Sequence, residues 1–440
     1  MQKIFCIVFM ENSIPNLETK MHNLCRELFP ICRSITGDGF RQSLAILQKH
    51  LPELKVVEVP TGTECFDWVI PKEWNIQDAY IIDPKGNKIC NFKESNLHVV
   101  GYSTPVNKKV NLAELQAHLY SIEEQPNAIP YITSYYTERW GFCITHEQRQ
   151  TLIEGDYQVV IDSTLEDGFL TYGELIIPGD SEQEVFLSTY LCHPSMANNE
   201  LSGPVVTTFL AKWIASQTHR KYSYRIIIIP ETIGSITYLS QHYKTMQKNI
   251  IAGFNVSCVG DDRTYSYLPS RDGNTLSDKA AVHVLQHIYP NFDRYSFLDR
   301  GSDERQYCSP GIDLPVCSIM RSKYGCYPEY HTSLDNLSLV TPSGLWGAFN
   351  VLQKSIQCIE MDEVLKVDVL CEPQLGKRGL YPTISTKDSG NEVRDMMNFL
   401  AYCDGKKSVL EIAEIINCPL WKLAQTIENI KAEHLLTTVS

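Results

Sequence analysis

Four apolar runs separated by helix-period segments constrain this chain more than any other feature. VFLSTYL (185–191), RIIIIP (225–230), IIAGFNVSCVG (250–260) and DLPVCSIM (313–320) read as strands covered on both faces, the texture of a parallel sheet. Between the first two, GPVVTTFLAKWIASQ (203–217) puts Val206, Phe209, Leu210, Trp213 and Ile214 on one helical face, with Pro204 in the first turn. A helix at about 275–288 and another over 343–360 continue the alternation. Strands alternating with helices in this way predict an α/β doubly wound sheet.

The flanks read differently. Leu17, Met21, Leu24 and Leu28, then Phe40, Leu44, Leu47 and Leu51, repeat at helical spacing around the polar loop CRSITGDG. From about Val57 to Glu174, short apolar runs alternate with turn residues such as Pro71, Pro84 and Gly86, which predicts an inserted all-β module. Its patch YITSYYTERWGFC (131–143) either lines a pocket or is aromatic core, the more usual case. Near the end, three short helices are expected, with a capping box at Ser408 and Glu411 and a tight NCPL turn. That pattern suggests a helix-turn-helix or winged-helix module. From Glu392 to Ser440 it carries five Lys/Arg against seven Asp/Glu, whereas a DNA reader is basic, so a packing or oligomerisation role is expected. The expected division is a discontinuous core, 11–60 and 175–385, an inserted β domain, 61–174, and a winged-helix-like domain, 390–440.

Composition narrows the class. The 440 residues, 43% hydrophobic and 21% charged, fit a soluble globular protein of two or three domains. A net charge of -13 disfavours nucleic acid and anionic membranes as partners. Fifteen cysteines without a C-x-x-C pair fit reduced thiols and a cytoplasmic location. The opening MQKIFCIVFM has one Lys and no small-residue cleavage site after it, so no signal peptide is expected. No run approaches the roughly 18 apolar residues of a membrane span.

The chemistry centres on STYLCHPSMANNELSGP (188–204), where a buried strand runs into a His, a polar loop and a helix start. Open α/β sheets bind ligands at the carboxyl ends of their strands, which makes His193 a metal ligand or a general base. Cys192, next to it on the strand, is expected to face the other way, which excludes a Cys–His dyad. RIIIIPET brings Glu231 to the same edge. The fourth strand leads to His331, with Asp335 four residues later expected behind a ring as its orienting partner. Asp303 and Glu304, in RGSDERQYC, are expected at the same rim. Two His and carboxylates at a sheet edge suit zinc, with about three protein ligands, an open position and a nearby Glu to accept a proton. Arg271 and Arg321 either bind a substrate carboxylate or form salt bridges within the fold. His283 and His287 are spaced i, i+4 but lack H-E-x-x-H, and read as surface or partner-satisfied residues.

The order His193, NNELSG, PETIGS, YHTSLD resembles the zinc-dependent aminopeptidases with co-catalytic metals. CHPSMANNELSGP, SYYTERWGFC, GSDERQYCSPG and EPQLGKRGLYPT are similar to signatures of a bacterial branch with an aminopeptidase-like core, an inserted β domain and a C-terminal winged helix. Against the family pattern, Asn199 stands for the bridging Asp, Thr232 for the second Glu and Ser257 for the third-strand Asp. Two zinc ions roughly 3.5–4 Å apart need a bridging anion, so one ion is expected. The resemblance then implies His193, Glu200 and His331 as ligands and Glu231 as general base. Asn199 is a weaker alternative ligand, and Asp261 or Asp262 would substitute from the third strand. Asp303 or Glu304 would meet a substrate ammonium. The expected activity is metal-dependent hydrolysis of an amide or peptide bond in a small aminoacyl or peptide-like substrate. A homo-oligomer is compatible with the sequence. The alternative is a non-catalytic small-molecule-binding or regulatory protein on a degenerate aminopeptidase fold.

Overall fold

A computed structural model of the chain describes residues 16–380 and 387–439. The opening Met1–Met10 and the end of EPQLGKRGLYPT lie outside the described residues. An eight-stranded mixed sheet forms the core: β1 (Lys55–Pro60), β2 (Phe169–Ile177), β3 (Ser181–Tyr190), β4 (Tyr222–Ile229), β5 (Ile250–Asn255), β6 (Ser266–Leu268), β7 (Asp293–Arg294) and β8 (Val316–Met320). Their spatial order is β1-β2-β4-β3-β5-β8-β6-β7. The central β4-β3-β5-β8 run is parallel, and antiparallel pairs flank it. From β3 the chain crosses to β4 on one side, then returns to β5 on the other. That reversal makes the carboxyl end of β3 a topological switch point, where such sheets open a crevice.

The elements follow from their residues. Ile226 to Ile229 of β4 are fully buried, as a strand between two helical layers requires. Helices α1 (Leu17–Leu28) and α2 (Asp38–Gln48) bury Met21, Leu28, Phe40, Leu44 and Leu47. Helix α3 (Ser202–Ser216) runs from the switch point, and every residue from Ser202 to Ala211 is buried. Gly203 lets it sit there, because a Cβ would collide with Val256 O and come within 2.6 Å of Thr189 Oγ1. Gly203→Ala is therefore expected to destabilise the fold by about 1–3 kcal/mol in denaturant titration, although alanine is the better helix former. Helices α4 (Ile233–Asn249), α5 (Leu276–Ile288) and α6 (Pro342–Met361) complete the layers.

The insert is built on a four-stranded antiparallel sheet ordered Lys88–Ile89, Glu73–Ile82, Asp156–Glu166, Val106–Asn111. It returns to the core at 129–133, where Tyr131 N donates to His331 O (2.9 Å) and Ser333 N to Ile129 O (2.9 Å). After α6 come the three expected helices, α7 (Lys387–Tyr402), α8 (Val409–Ile415) and α9 (Leu420–Ala432). They are joined by a small sheet of Val364–Val367, Asp404–Ser408 and Leu436–Thr438 that helical periodicity does not reveal. The Ser408–Glu411 capping box is formed.

His283 on α5 meets this C-terminal unit. It is fully buried, pairs through Nδ1 with Glu414 and accepts at Nε2 from Leu420 N (2.9 Å). His283, His287 and Glu414 form a cluster, but both His283 nitrogens are already used, leaving no free lone pair for a cation. Among the described residues, no helix is long and apolar enough to cross a membrane.

Candidate metal centre

The strand β3 ends at Tyr190, so strict alternation of faces stops before Cys192 and His193. This corrects the sequence expectation: Cys192 Sγ lies 3.4 Å from His193 Nδ1, not on the opposite face. Burial and the neighbouring Glu200 push the Cys192 thiol well above its usual pKa, so it carries no thiolate. The loop continues through Ser195 at a positive φ of 44° into a widened helical turn, Ala197–Leu201, that opens α3. Widened turns of this sort collect at functional sites. Here the turn aims Glu200 back at the strand end. Glu200 Oε1 accepts from the backbone N–H groups of Cys192 and His193. Its Oε2 lies 2.6 Å from His193 Nδ1, yet off the line of a hydrogen bond, and has no hydrogen-bond partner.

Glu231 follows β4 and brings Oε2 to 3.6 Å from His193 Nε2. Burial raises its pKa, Glu200 adds to the rise, and His193 opposes it. Burial also works against a charge on His193, but Glu200 and Glu231 outweigh that and hold its pKa above the usual value. The next residue, Thr232, has φ 64°, a costly conformation for a β-branched side chain. Asp303 holds that turn, with Oδ1 accepting from Thr232 N and Ser235 Oγ, both at 2.8 Å.

His331, also at positive φ (55°), packs flat on Tyr330 with ring centroids 3.9 Å apart. Its ring centroid is 5.3 Å from that of His193, although 138 positions separate them in the chain. Tyr131 from the insert lies 4.8 Å from the His193 ring and 5.2 Å from the His331 ring, centroid to centroid. Burial, helped by His193, lowers the His331 pKa to about 3, so the ring is neutral and its lone pair is available. His331 Nε2 is buried without a hydrogen-bond partner.

Several expected residues lie elsewhere or act differently. Asp335 does not orient an imidazole. Its carboxylate accepts from the backbone N–H groups of Ala197, Asn198 and Asn199 and from Tyr327 OH, fixing the Glu200 turn. Asn199 Oδ1 accepts from Tyr190 OH (3.2 Å), and Asp261 is taken up by Asn198 and Ser322. Asp262 pairs with Thr341 and Ser343 on an exposed edge. Asp303 is fully buried and does not line the pocket, and burial with the nearby Glu231 raises its pKa to about 8. With Oδ1 taken up by Thr232 and Ser235 inside the fold, it does not face a substrate ammonium. Glu304 is likewise buried, accepting from Gly301 N, Ser302 N, Asn255 Nδ2 and Tyr324 OH. Arg271 forms a surface ion pair with Asp313 (2.7 Å), and Arg321 is buried over the Tyr265 ring; neither lines the pocket.

Other residues take part that the sequence reading passed over. Arg33, in the polar loop between α1 and α2, is buried and donates to Leu28 O (2.6 Å) and His193 O (3.0 Å). The aromatic patch of the insert, read from its sequence as pocket lining or more usually core, supplies pocket wall. A 400 Å³ cavity is lined by Trp68, Tyr131, Tyr135 and Tyr136 together with His193, Glu231 and His331. Its one carboxylate is Glu231, and no Lys or Arg lines it.

The donor set fits a zinc ion. Cys192, His193 and Glu200 bring ligand-type atoms within 4.8 Å of one another. Glu200 Oε2 and His331 Nε2 are buried without hydrogen-bond partners, the condition a cation resolves and an apolar core does not.

Comparison with known proteins then gives the class. A zinc aminopeptidase from Bacillus subtilis shares the fold, with a TM-score of 0.57 at 12% identity over 78% of this chain and 95% of that one. A crystal structure of a Clostridium acetobutylicum protein provisionally named a peptidase matches with a TM-score of 0.90 and 44% identity, covering 96% of this chain and 97% of that one. The core is aminopeptidase-like, and a winged helix-turn-helix model matches residues 363–438. The chain belongs to the family described as a domain of unknown function, DUF4910, whose model matches residues 22–362. A Clostridium acetobutylicum relative, 48% identical over 396 residues and 90% of each chain, carries a provisional name joining polysaccharide biosynthesis to an aminopeptidase-like domain.

Proposed function

We propose that this protein is a metal-dependent hydrolase of an amide or peptide bond in a small aminoacyl substrate, working in the cytoplasm. The observation that carries the reading is the surroundings of the buried His193 ring: Glu200 Oε2 at 2.6 Å from Nδ1, Glu231 Oε2 at 3.6 Å from Nε2, and the His331 ring 5.3 Å away centroid to centroid, its Nε2 buried without a hydrogen-bond partner. His193, Glu200 and His331 would hold one zinc ion. When bound, zinc supplies Lewis acidity toward a carbonyl and acidifies water. One ion is favoured over two because Asn199 Oδ1 is committed to Tyr190 and Thr232 Oγ1 to Arg305.

Glu231 takes the proton of the attacking water and returns it to the leaving amine. Burial raises its pKa, the direction that suits a group which both takes and returns a proton. Arg33 and Glu200 fix His193 from its carbonyl and its backbone N–H. Tyr131, Tyr135 and Trp68 wall the pocket and exclude bulk water and folded proteins. With no cation in the lining, the substrate is uncharged or cationic at the end that enters, and an ammonium is met by the aromatic rings.

A panel of aminoacyl amides tests this. Hydrolysis that is lost on chelation and restored by zinc is the expected result. Zinc-loaded protein inert on the whole panel, yet binding one of its members tightly, would favour the non-catalytic alternative.

A further inference from the structure

A second, larger cavity of 730 Å³ lies beside the metal pocket. Ile35 lines the metal pocket, whereas its neighbours Ser34 and Thr36 line the second cavity, so a single backbone segment divides them. Ser195 and Ser333, two residues beyond His193 and His331, belong to the wall of the second cavity. The remaining wall comes from the α1–α2 loop and the insert.

The lining has a particular chemistry. Two half-buried phenylalanines, Phe29 and Phe92, line it; Trp74 lines it too, but its indole stacks on Tyr102 and donates to Ser103 O. Ser34, Gln42, Gln77 and Ser95 line it and make no side-chain hydrogen bond within the fold. Asn96 also lines it; the residue is 9% exposed and its Oδ1 has no donor, while its amide nitrogen reaches Pro30 O only at 3.5 Å. Leaving a buried carbonyl oxygen unpaired costs about 1–3 kcal/mol, so this wall is poorly satisfied by the protein alone. Asp38 pairs with Arg41 (2.6 Å) and Lys93 with Asp78 (3.3 Å), while Glu94 meets only the neutral amide of Asn91 (2.9 Å).

A phosphate or carboxylate therefore finds no unpaired cation, and a wholly apolar ligand would bury unpaired amides and hydroxyls. The chemistry left is a neutral molecule with many hydroxyls and apolar C–H faces between them. Free amides and hydroxyls match its edges, and aromatic rings match its faces. The volume falls within the roughly 300–1,000 Å³ of ordinary ligand sites. We infer that this cavity is a binding site for a short neutral saccharide, separate from the metal pocket.

Saturation-transfer NMR and calorimetry on the full chain test this with glucose, galactose, N-acetylglucosamine and maltose, and with glucose 6-phosphate as a charged control. At least one neutral sugar is expected to bind saturably, and no less tightly than the phosphate. Gln42→Ala combined with Gln77→Ala removes two exposed, unpartnered amides without touching the core, and should weaken binding about tenfold. Ser95→Ala should weaken it in the same direction. The Glu231→Gln protein should bind the sugar as the unaltered protein does, which keeps this result independent of the hydrolase reading. No saturable binding by any neutral sugar, tighter binding of the phosphate, or binding indifferent to both sets of substitutions would overturn the inference.

Discussion

Glu231→Gln is expected to lower kcat by about 10²- to 10⁴-fold, roughly 2.7–5.5 kcal/mol of activation free energy, while zinc content stays unchanged. The substitution keeps the size and shape of the side chain and removes only its ability to take a proton. In the structure Glu231 makes no ligand-like contact of the kind Glu200 makes. It stands 3.6 Å from His193 Nε2, half-open to the pocket, on a turn held by Asp303. Burial raises its pKa, the direction expected of a carboxylate that exchanges a proton during the reaction. KM should move little, because the group acts mainly in the transition state. Steady-state kinetics beside metal analysis checks this, and unaltered kcat in zinc-loaded Glu231→Gln protein would remove Glu231 from the mechanism.

The second large effect is structural. Arg33→Met is expected to cost about 3–5 kcal/mol of folding stability, read as a shift of the denaturant midpoint. The guanidinium is 1% exposed and ties the end of α1, at Leu28 O, to the carbonyl of His193. Its charge also faces Glu200, so methionine would leave the His193 carbonyl unpaired and take one counter-charge from a buried carboxylate, while Leu28 O keeps the N–H of Ile31. Arg33→Lys should recover only part of the loss, because one ammonium cannot reproduce the guanidinium fork. Zinc affinity should fall as well, by about 10- to 100-fold, as happens when the group that orients a ligand is removed. Arg33→Met as stable as the unaltered chain would mean the tie carries nothing.

These two residues also show what can be read from a sequence of this type. The apolar runs at 185–191, 225–230 and 313–320 stand in strands because only a two-sided core accepts them. A parallel sheet then delivers whatever follows each strand to one edge, which is why His193 and Glu231 meet. His331 was within reach for the same reason. Charge alone does not say which side of that edge a residue takes. Asp303 and Glu304 turned inward to hold backbone N–H groups, while Arg271 and Arg321 found partners inside the fold. Cys192 escaped because a strand's alternation ends where its ladder ends, one residue earlier than the apolar run suggests. Arg33 sits in a loop whose polar composition signals only a turn, and its role depends on a carbonyl 160 positions away. The tyrosines of the insert carry no periodicity that points to a pocket; only the pairing of 129–133 with the His331 loop brings them there.

The central claim is that His193 and His331 share one cation. Inductively coupled plasma analysis of the purified protein, of His193→Ala and of His331→Ala tests it most directly, with circular dichroism to confirm that each variant is folded. About one zinc per chain in the unaltered protein, falling to near zero in both folded variants, is the predicted result. Protein that hydrolyses its substrate without bound metal, or folded variants that keep a full zinc ion after losing either imidazole, would contradict it.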